Sequence, residues 1–122
     1  MRQRPVDAGL LHSRLPVGAV VSILHRVTGV LLAALFPVGL YALSRSLAHR
    51  SAFDAWRGAL ESPQGHVVSG VIAGLLAHHV LAGIRHLLMD LDIGAGLRSA
   101  RSSAYAVLAL ALASGLLAAG LL

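Results

Sequence analysis

Three long apolar runs, separated by short polar stretches, dominate the pattern of the chain. They cover residues 17–44, 66–91 and 103–122. Each is long enough to cross a bilayer as a helix, which takes about 20 residues at about 1.5 Å per residue. The pattern predicts an all-α membrane protein with three transmembrane helices, in which residues 1–122 form a single domain.

The first run contains polar residues that must lie within the membrane. Its uninterrupted apolar part, residues 27–43, is too short to cross a bilayer. The helix therefore has to extend back over Ser22, His25 and Arg26. Pro37 lies inside the same run and predicts a kink, which membrane helices tolerate.

The polar stretches predict the connections and the orientation. Residues 45–65 form a loop in which Trp56 and two other large apolar residues have helical spacing, which predicts a short helix at the membrane surface. The N-terminal segment 1–16 and the loop 92–102 lie on the opposite side and carry five arginines, against three in the 45–65 loop. Because cytoplasmic loops are rich in basic residues, the N-terminal segment is predicted to be cytoplasmic.

The composition supports a membrane location. Of 122 residues, 57% are hydrophobic and only 12% are charged, which leaves too few polar side chains to cover a soluble domain. All ten basic residues are arginines that are scattered along the chain, so the net charge of +5 does not indicate a nucleic-acid surface. The absence of cysteine excludes disulfides, thiolate metal sites and thioether haem attachment within the chain.

Polar residues in the first run share one helix face. A helix turns about 100° per residue, so residues three, four and seven positions apart lie on one side. Ser22, His25, Arg26 and Gly29 have this spacing. An arginine this far into a span is costly unless it is paired, which indicates that the face contacts other polar groups.

The second run carries a matching polar face. His79, Gly83 and His86 lie on one side of the predicted helix, while His78 points about 100° away. The two helices run in opposite directions, so both polar faces reach the same depth and predict one shared site. His78 is expected to pack against lipid or another helix. Arg85, like Asp90, is expected to extend to the headgroups.

Small residues recur at every fourth position in the second and third runs, which favours close approach of the two helices. They are Gly70 and Gly74 in the second run, and Ala111, Gly115 and Ala119 in the third.

The polar faces suit a b-type haem. Haem iron takes an unprotonated imidazole nitrogen, the porphyrin needs a small neighbour, and its propionates need cations. His79 and Gly83 meet the first two needs, and His25, Arg26 and His86 meet the third. His79 and His86 cannot both bind one iron, because they lie about 10.5 Å apart along the helix and axial nitrogens only about 4 Å apart. No other deep, inward-facing histidine is evident in the sequence, so the second ligand is expected from a partner membrane subunit.

Two segments resemble a known family. SILHRVTGV at 22–30 and HHVLAGIRHLLMDL at 78–91 are similar to the two signature segments of the cytochrome b556 membrane-anchor subunits of succinate dehydrogenase, respiratory complex II. The resemblance extends to RPV at 4–6 and to the three spans, so it covers nearly the whole chain and implies a single membrane-anchor domain. It implies that Ser22 and Arg26 bind ubiquinone or another quinone.

The resemblance also implies the haem contacts. His79 would be an axial ligand of the haem b iron, and His25, Arg26 and His86 would lie near the propionates. A second small anchor subunit would share the haem, and the chain would form half of a heterodimeric haem-binding helix bundle.

The implied setting is a bacterial inner membrane. A flavoprotein and an iron–sulfur subunit would dock on the cytoplasmic side and link the tricarboxylic acid cycle to electron transport. The chain alone would have no catalytic apparatus for succinate. Two alternatives stay open, namely an anchor of a fumarate reductase-type complex and a non-haem packing subunit whose histidines only form hydrogen bonds between helices.

Overall fold

The computed structural model describes residues 15–120, which fold into four α-helices. They are α1 (Val17–Ala48), α2 (Arg50–Glu61), α3 (Pro63–Asp90) and α4 (Leu97–Ala118). α1, α3 and α4 are each long and apolar enough to cross a membrane. The predicted class of all-α membrane protein with three transmembrane helices is thereby confirmed. Nearly all of the predicted N-terminal segment 1–16 lies outside the described residues.

α1 is a continuous helix of 32 residues, although Pro37 lies in its interior. It ends at Ala48, beyond the predicted 44. The Ser46 hydroxyl donates to the Ala42 carbonyl at 2.8 Å, and Arg45 in the last turn suits the negative end of the helix dipole. The helix therefore continues past the point at which the apolar run stops.

The first residues of α3 and α4 precede the apolar runs that predicted these helices. α3 begins at Pro63 rather than at 66, because the Ser62 side chain accepts a hydrogen bond from the Gly65 N–H at 3.0 Å and caps the helix. α4 begins at Leu97 rather than at 103, and its first turn is polar. Hydropathy therefore predicts the apolar part of each helix but not its first residue, which for α3 is set by the Ser62 cap.

A tight reversal joins α3 to α4. Asp92 and Gly94 have φ angles of 59° and 72°, in the left-handed region that Gly adopts freely and Asp adopts more readily than most residues. The Ile93 N–H donates to the Leu88 carbonyl at 2.9 Å and so satisfies a carbonyl at the end of α3. The reversal lays α4 antiparallel beside α3.

Small residues bring α3 and α4 into backbone contact. A Cβ on Gly70 would lie 2.6 Å from the Gly115 carbonyl oxygen and 2.7 Å from the Ala119 Cβ. A Cβ on Gly74 would lie 3.4 Å from the Ala111 carbonyl oxygen. The close packing predicted from the four-residue spacing is therefore confirmed.

The interior of the three-helix bundle is small. Val21, Ala82 and Ala104 are fully buried there. Large apolar side chains mostly face outward, such as Val30, which is 71% exposed, and Leu112, which is 65% exposed. In a membrane such faces meet lipid or other helices.

α2 is helical throughout, as predicted for part of the 45–65 loop. Phe53 and Trp56 share its apolar face and stay partly exposed. On an adjacent face Arg57 donates to Glu61 at 2.8 Å, and this hydrogen bond raises the pKa of Arg57 above its ordinary value. The amphipathic pattern suits a helix at the membrane surface, and that location stays a prediction.

Candidate functional site

Three of the histidines singled out in the sequence lie together between α1 and α3. The His25 ring stacks on the His79 ring, with centroids 4.4 Å apart and planes 15° apart. The His86 ring lies 5.4 Å from that of His25, at an interplanar angle of 55°. The two polar faces therefore meet, as the antiparallel arrangement of their helices predicts. We call these three residues the histidine cluster.

The His79 ring is held by its Nδ1 edge. This nitrogen lies 3.2 Å from the His25 carbonyl oxygen and 3.3 Å from the Thr28 hydroxyl oxygen. No hydrogen bond to its Nε2 is found within residues 15–120. Metal-bound histidines have this arrangement, in which one nitrogen donates to a protein acceptor and the other is left for the metal.

Two glycines make room for the histidine cluster, and one differs from the prediction. A Cβ on Gly29 would lie 3.0 Å from His79 Cε1, so the His79 ring rests against the α1 backbone. A Cβ on Gly83 would lie 3.3 Å from His25 Nε2. Gly83, predicted to give clearance for a porphyrin, thus accommodates a ring of this same chain.

Ser22 and Arg26, the predicted quinone-binding pair, lie one helical turn apart on α1. Ser22 is half-buried, whereas Arg26 is exposed. Within residues 15–120 neither side chain takes part in a hydrogen bond or an ion pair. Both can therefore contact a group supplied from outside the chain.

Arg85 does not extend to the headgroups, and that prediction is wrong. Its side chain is buried in the bundle, where Nε donates to the Ser103 hydroxyl and Nη2 to the Ala100 carbonyl, each at 3.0 Å. It shares the face of α3 that carries the buried Ala82, and the early start of α4 places acceptors opposite it. Asp90 at the end of α3 is exposed, as expected.

His78 lies inside the bundle rather than against lipid. It is only 5% exposed, and neither ring nitrogen has a hydrogen-bond partner among the described residues. Its position four residues before Ala82 places it on the buried face of α3. Helix-interface packing, one of the two predicted environments, is confirmed, and lipid contact is not found.

The histidine cluster does not form a self-sufficient metal site. Within residues 15–120, no group of three or more His, Asp or Glu side chains is placed to hold a metal ion. A metal bound at His79 would need its other ligands from a macrocycle, from another chain or from outside residues 15–120. An imidazole nitrogen that makes no hydrogen bond within residues 15–120, such as His79 Nε2, is the kind of donor that haem iron takes from a protein.

Sequence reasoning missed Thr28 as part of this site and assigned no role to Gly29. Both lie within SILHRVTGV, and Gly29 was placed on the polar face, yet neither has side-chain chemistry that singles it out. Thr28 is three residues after His25, which was the available signal that it lies near the same groups.

Comparisons with known proteins agree with the motifs. Residues 1–118 match the family model described as succinate dehydrogenase/fumarate reductase transmembrane subunit. A succinate dehydrogenase cytochrome b556 subunit of Coxiella burnetii is 32% identical over 106 residues, which cover 86% of this chain and 85% of that protein. One of Paracoccus denitrificans is 31% identical over 106 residues, covering 87% of this chain and 82% of that protein. The resemblance predicted from the two segments is confirmed, and the chain belongs to the family of succinate dehydrogenase/fumarate reductase transmembrane subunits.

Proposed function

We propose that the chain binds haem b as the membrane-anchor subunit of a succinate:quinone oxidoreductase and forms part of its quinone-reduction site. The observation that carries the proposal is the His79 ring, whose Nδ1 is bound to α1 and whose Nε2 is available. The relatives named cytochrome b556 subunits support it. The family description also includes fumarate reductases, and the preferred direction depends on the soluble subunits and on the quinone.

The residues of the histidine cluster fit a haem. His79 would ligate the iron through Nε2, since Nδ1 already faces two acceptors. His25 and His86 lie on the side of His79 towards the start of α1, where they and Arg26 would meet the propionates. When bound, haem b would supply a one-electron redox centre beside the quinone.

Ser22 and Arg26 are proposed to bind the quinone headgroup. The Ser22 hydroxyl would donate a hydrogen bond to a quinone oxygen. The Arg26 guanidinium would stabilise the negative charge that develops on that oxygen as electrons arrive from the iron–sulfur subunit. Both side chains lie towards the start of α1, which is the cytoplasmic end in the proposed orientation.

The proposal requires partners. A second small membrane subunit would supply the other haem ligand and cover the outward side of His79, and residues 1–122 would act as a single anchor domain. A flavoprotein and an iron–sulfur subunit would dock at the cytoplasmic side of a bacterial inner membrane. The broad outward apolar faces of α1 and α3 are suited to lipid and to partner helices.

The decisive experiment is an optical spectrum of the purified membrane complex, with its co-purifying subunits identified. We expect a low-spin, six-coordinate haem in the wild type. His79→Ala should abolish this spectrum, because it removes the only proposed axial ligand of this chain.

His78→Ala is the matched control, because it removes the adjacent imidazole from the buried face of α3. It should keep the low-spin spectrum. If assembled His79→Ala complex has the wild-type spectrum, the ligand assignment is wrong. A wild-type complex without haem would favour the non-haem packing subunit.

A further inference from the structure

Thr28 is a buried hydroxyl residue between the two helices of the candidate site. It is 4% exposed. Its Oγ1 lies 3.0 Å from the His25 carbonyl oxygen and 3.3 Å from His79 Nδ1. The carbonyl oxygen itself lies 3.2 Å from the same nitrogen. The three atoms form a closed triangle of hydrogen-bonding groups, and each is within reach of the other two.

The donors and acceptors of this triangle define the tautomer of His79. The Thr28 hydroxyl has a single proton, which it donates to the His25 carbonyl oxygen. Towards His79 it can then only accept, and the carbonyl oxygen can only accept as well. Two acceptors therefore face Nδ1, which must carry the proton. The lone pair of the neutral ring is left on Nε2.

The backbone beside Thr28 fixes the position of the same ring. Because a Cβ on Gly29 would lie 3.0 Å from His79 Cε1, the ring packs directly against α1. The stacked His25 ring covers it further, at a centroid distance of 4.4 Å. The imidazole is thus oriented by packing, while the hydrogen bonds select its protonated nitrogen.

We propose that Thr28 is a positioning residue for His79, which orients the ring, holds the proton on Nδ1 and increases electron donation from Nε2 to the iron. The inference rests on the proposed function. It assigns a role to a residue that is neither a haem ligand nor a quinone contact there. Acceptors that bind the distal N–H of a metal-bound histidine raise the basicity of the ligand.

The expected effect is a change in the haem midpoint potential. A more basic ligand stabilises ferric over ferrous iron, so loss of the Thr28 acceptor should raise the potential. Mutation of such an outer partner typically weakens metal binding by about 10–100-fold, and the lower end is expected because the His25 carbonyl oxygen still faces Nδ1. A tenfold loss of preference for ferric iron corresponds to a rise of about 59 mV for one electron.

The test uses the complete membrane complex with haem bound. Thr28→Val keeps the shape of the side chain but removes the hydroxyl, and Thr28→Ser restores the hydroxyl. Ser46→Ala is the matched control, since Ser46 also donates to a carbonyl of α1 but lies 18 residues further along the helix. Redox titration of the haem and its ferric electron paramagnetic resonance spectrum are measured for each variant.

We expect Thr28→Val to raise the potential and shift the ferric g values, and Thr28→Ser and Ser46→Ala to match the wild type. Thr28→Ala, which is smaller, carries the same expectation should Thr28→Val not assemble. A wild-type potential and g values in the variants without the hydroxyl would overturn the role of Thr28. If His79→Ala in parallel loses the low-spin haem, the proposed function survives that result, whereas a normal haem in His79→Ala would overturn both.

Discussion

Ser22 and Arg26 have different surroundings, although they lie on one face of α1. Ser22 is half-buried and its short side chain has few conformations, whereas Arg26 is exposed and its long side chain can take many. Ordering a flexible side chain costs up to about 2 kcal/mol. A headgroup bound between them would therefore be oriented mainly by Ser22, and Arg26 would respond mainly to its charge.

The quinone contact can be tested at Ser22. Ser22→Ala should slow succinate-to-quinone electron transfer or weaken quinone binding about ten- to hundredfold, since a lost hydrogen bond to a charged group costs about 1.5–3 kcal/mol. Succinate-to-soluble-dye activity, which needs only the peripheral subunits, should stay unchanged. Ser44→Ala, about 33 Å along the same helix, is the control. Normal quinone kinetics in the assembled Ser22→Ala complex would rule out this contact.

At the level of single residues, the sequence predicted the groups whose chemistry is visible in their type. The proximity of His25, His79 and His86 could be predicted, because the helical period fixes the face of each residue and the antiparallel arrangement fixes its depth. Thr28 was missed because a threonine hydroxyl is common in helices, and only the partner helix gives it a second contact. Arg85 was misplaced because its environment depends on where α4 begins, which hydropathy does not define.

Among the helices, the α3–α4 contact depends on the absence of side chains. In a bilayer no hydrophobic effect drives helices together, so packing and hydrogen bonds decide association. Gly70 lies against the Gly115 carbonyl, and the close approach extends to Ala119. This glycine packing lies near one end of the two helices, and the hydrogen bonds of Arg85 lie near the opposite end. The two helices are therefore joined near both ends.

We expect Gly70→Ala to destabilise this helix pair. The added methyl group would meet backbone at 2.6 Å, and overpacking of this kind typically costs about 1–3 kcal/mol. Unfolding of the purified protein in sodium dodecyl sulfate measures the change.

Gly39→Ala is the matched substitution, because a Cβ there meets nothing within 4 Å among the described residues. It should leave the free energy of unfolding unchanged or slightly higher. Equal unfolding curves for the two variants would show that the close approach of α3 and α4 does not limit stability.

Considered as a whole, the molecule has a small interior and extensive outward apolar surface. Within residues 15–120, the fully buried side chains are no larger than Val21, so van der Waals packing inside the bundle is limited. Small residues dominate the interior because the helices approach closely, and most large side chains are left to face outward. The number of spans could be predicted from hydropathy. The face that a partner would cover could not be predicted from one chain, because contacts with lipid and contacts with helices select the same residue types.

The hydrogen bonds that Arg85 donates to α4 also affect how the chain inserts into the membrane. Synthesis proceeds from the N-terminus at about 5–20 residues per second, so α3 is made before Ala100 and Ser103 can accept from the guanidinium. An arginine at the centre of a span costs about 2.5–3.5 kcal/mol on insertion. Arg85 lies five residues before the end of α3, so its cost should be smaller but still keep the end of α3 near water until α4 arrives. α3 would then complete its insertion only after α4 has been synthesised. The chain has no cysteine, so a single Leu87→Cys can report depth. It should react with a water-soluble reagent in a released chain that is truncated after Gly96, and it should become protected in the full chain. Protection in both chains would show that α3 inserts fully without α4.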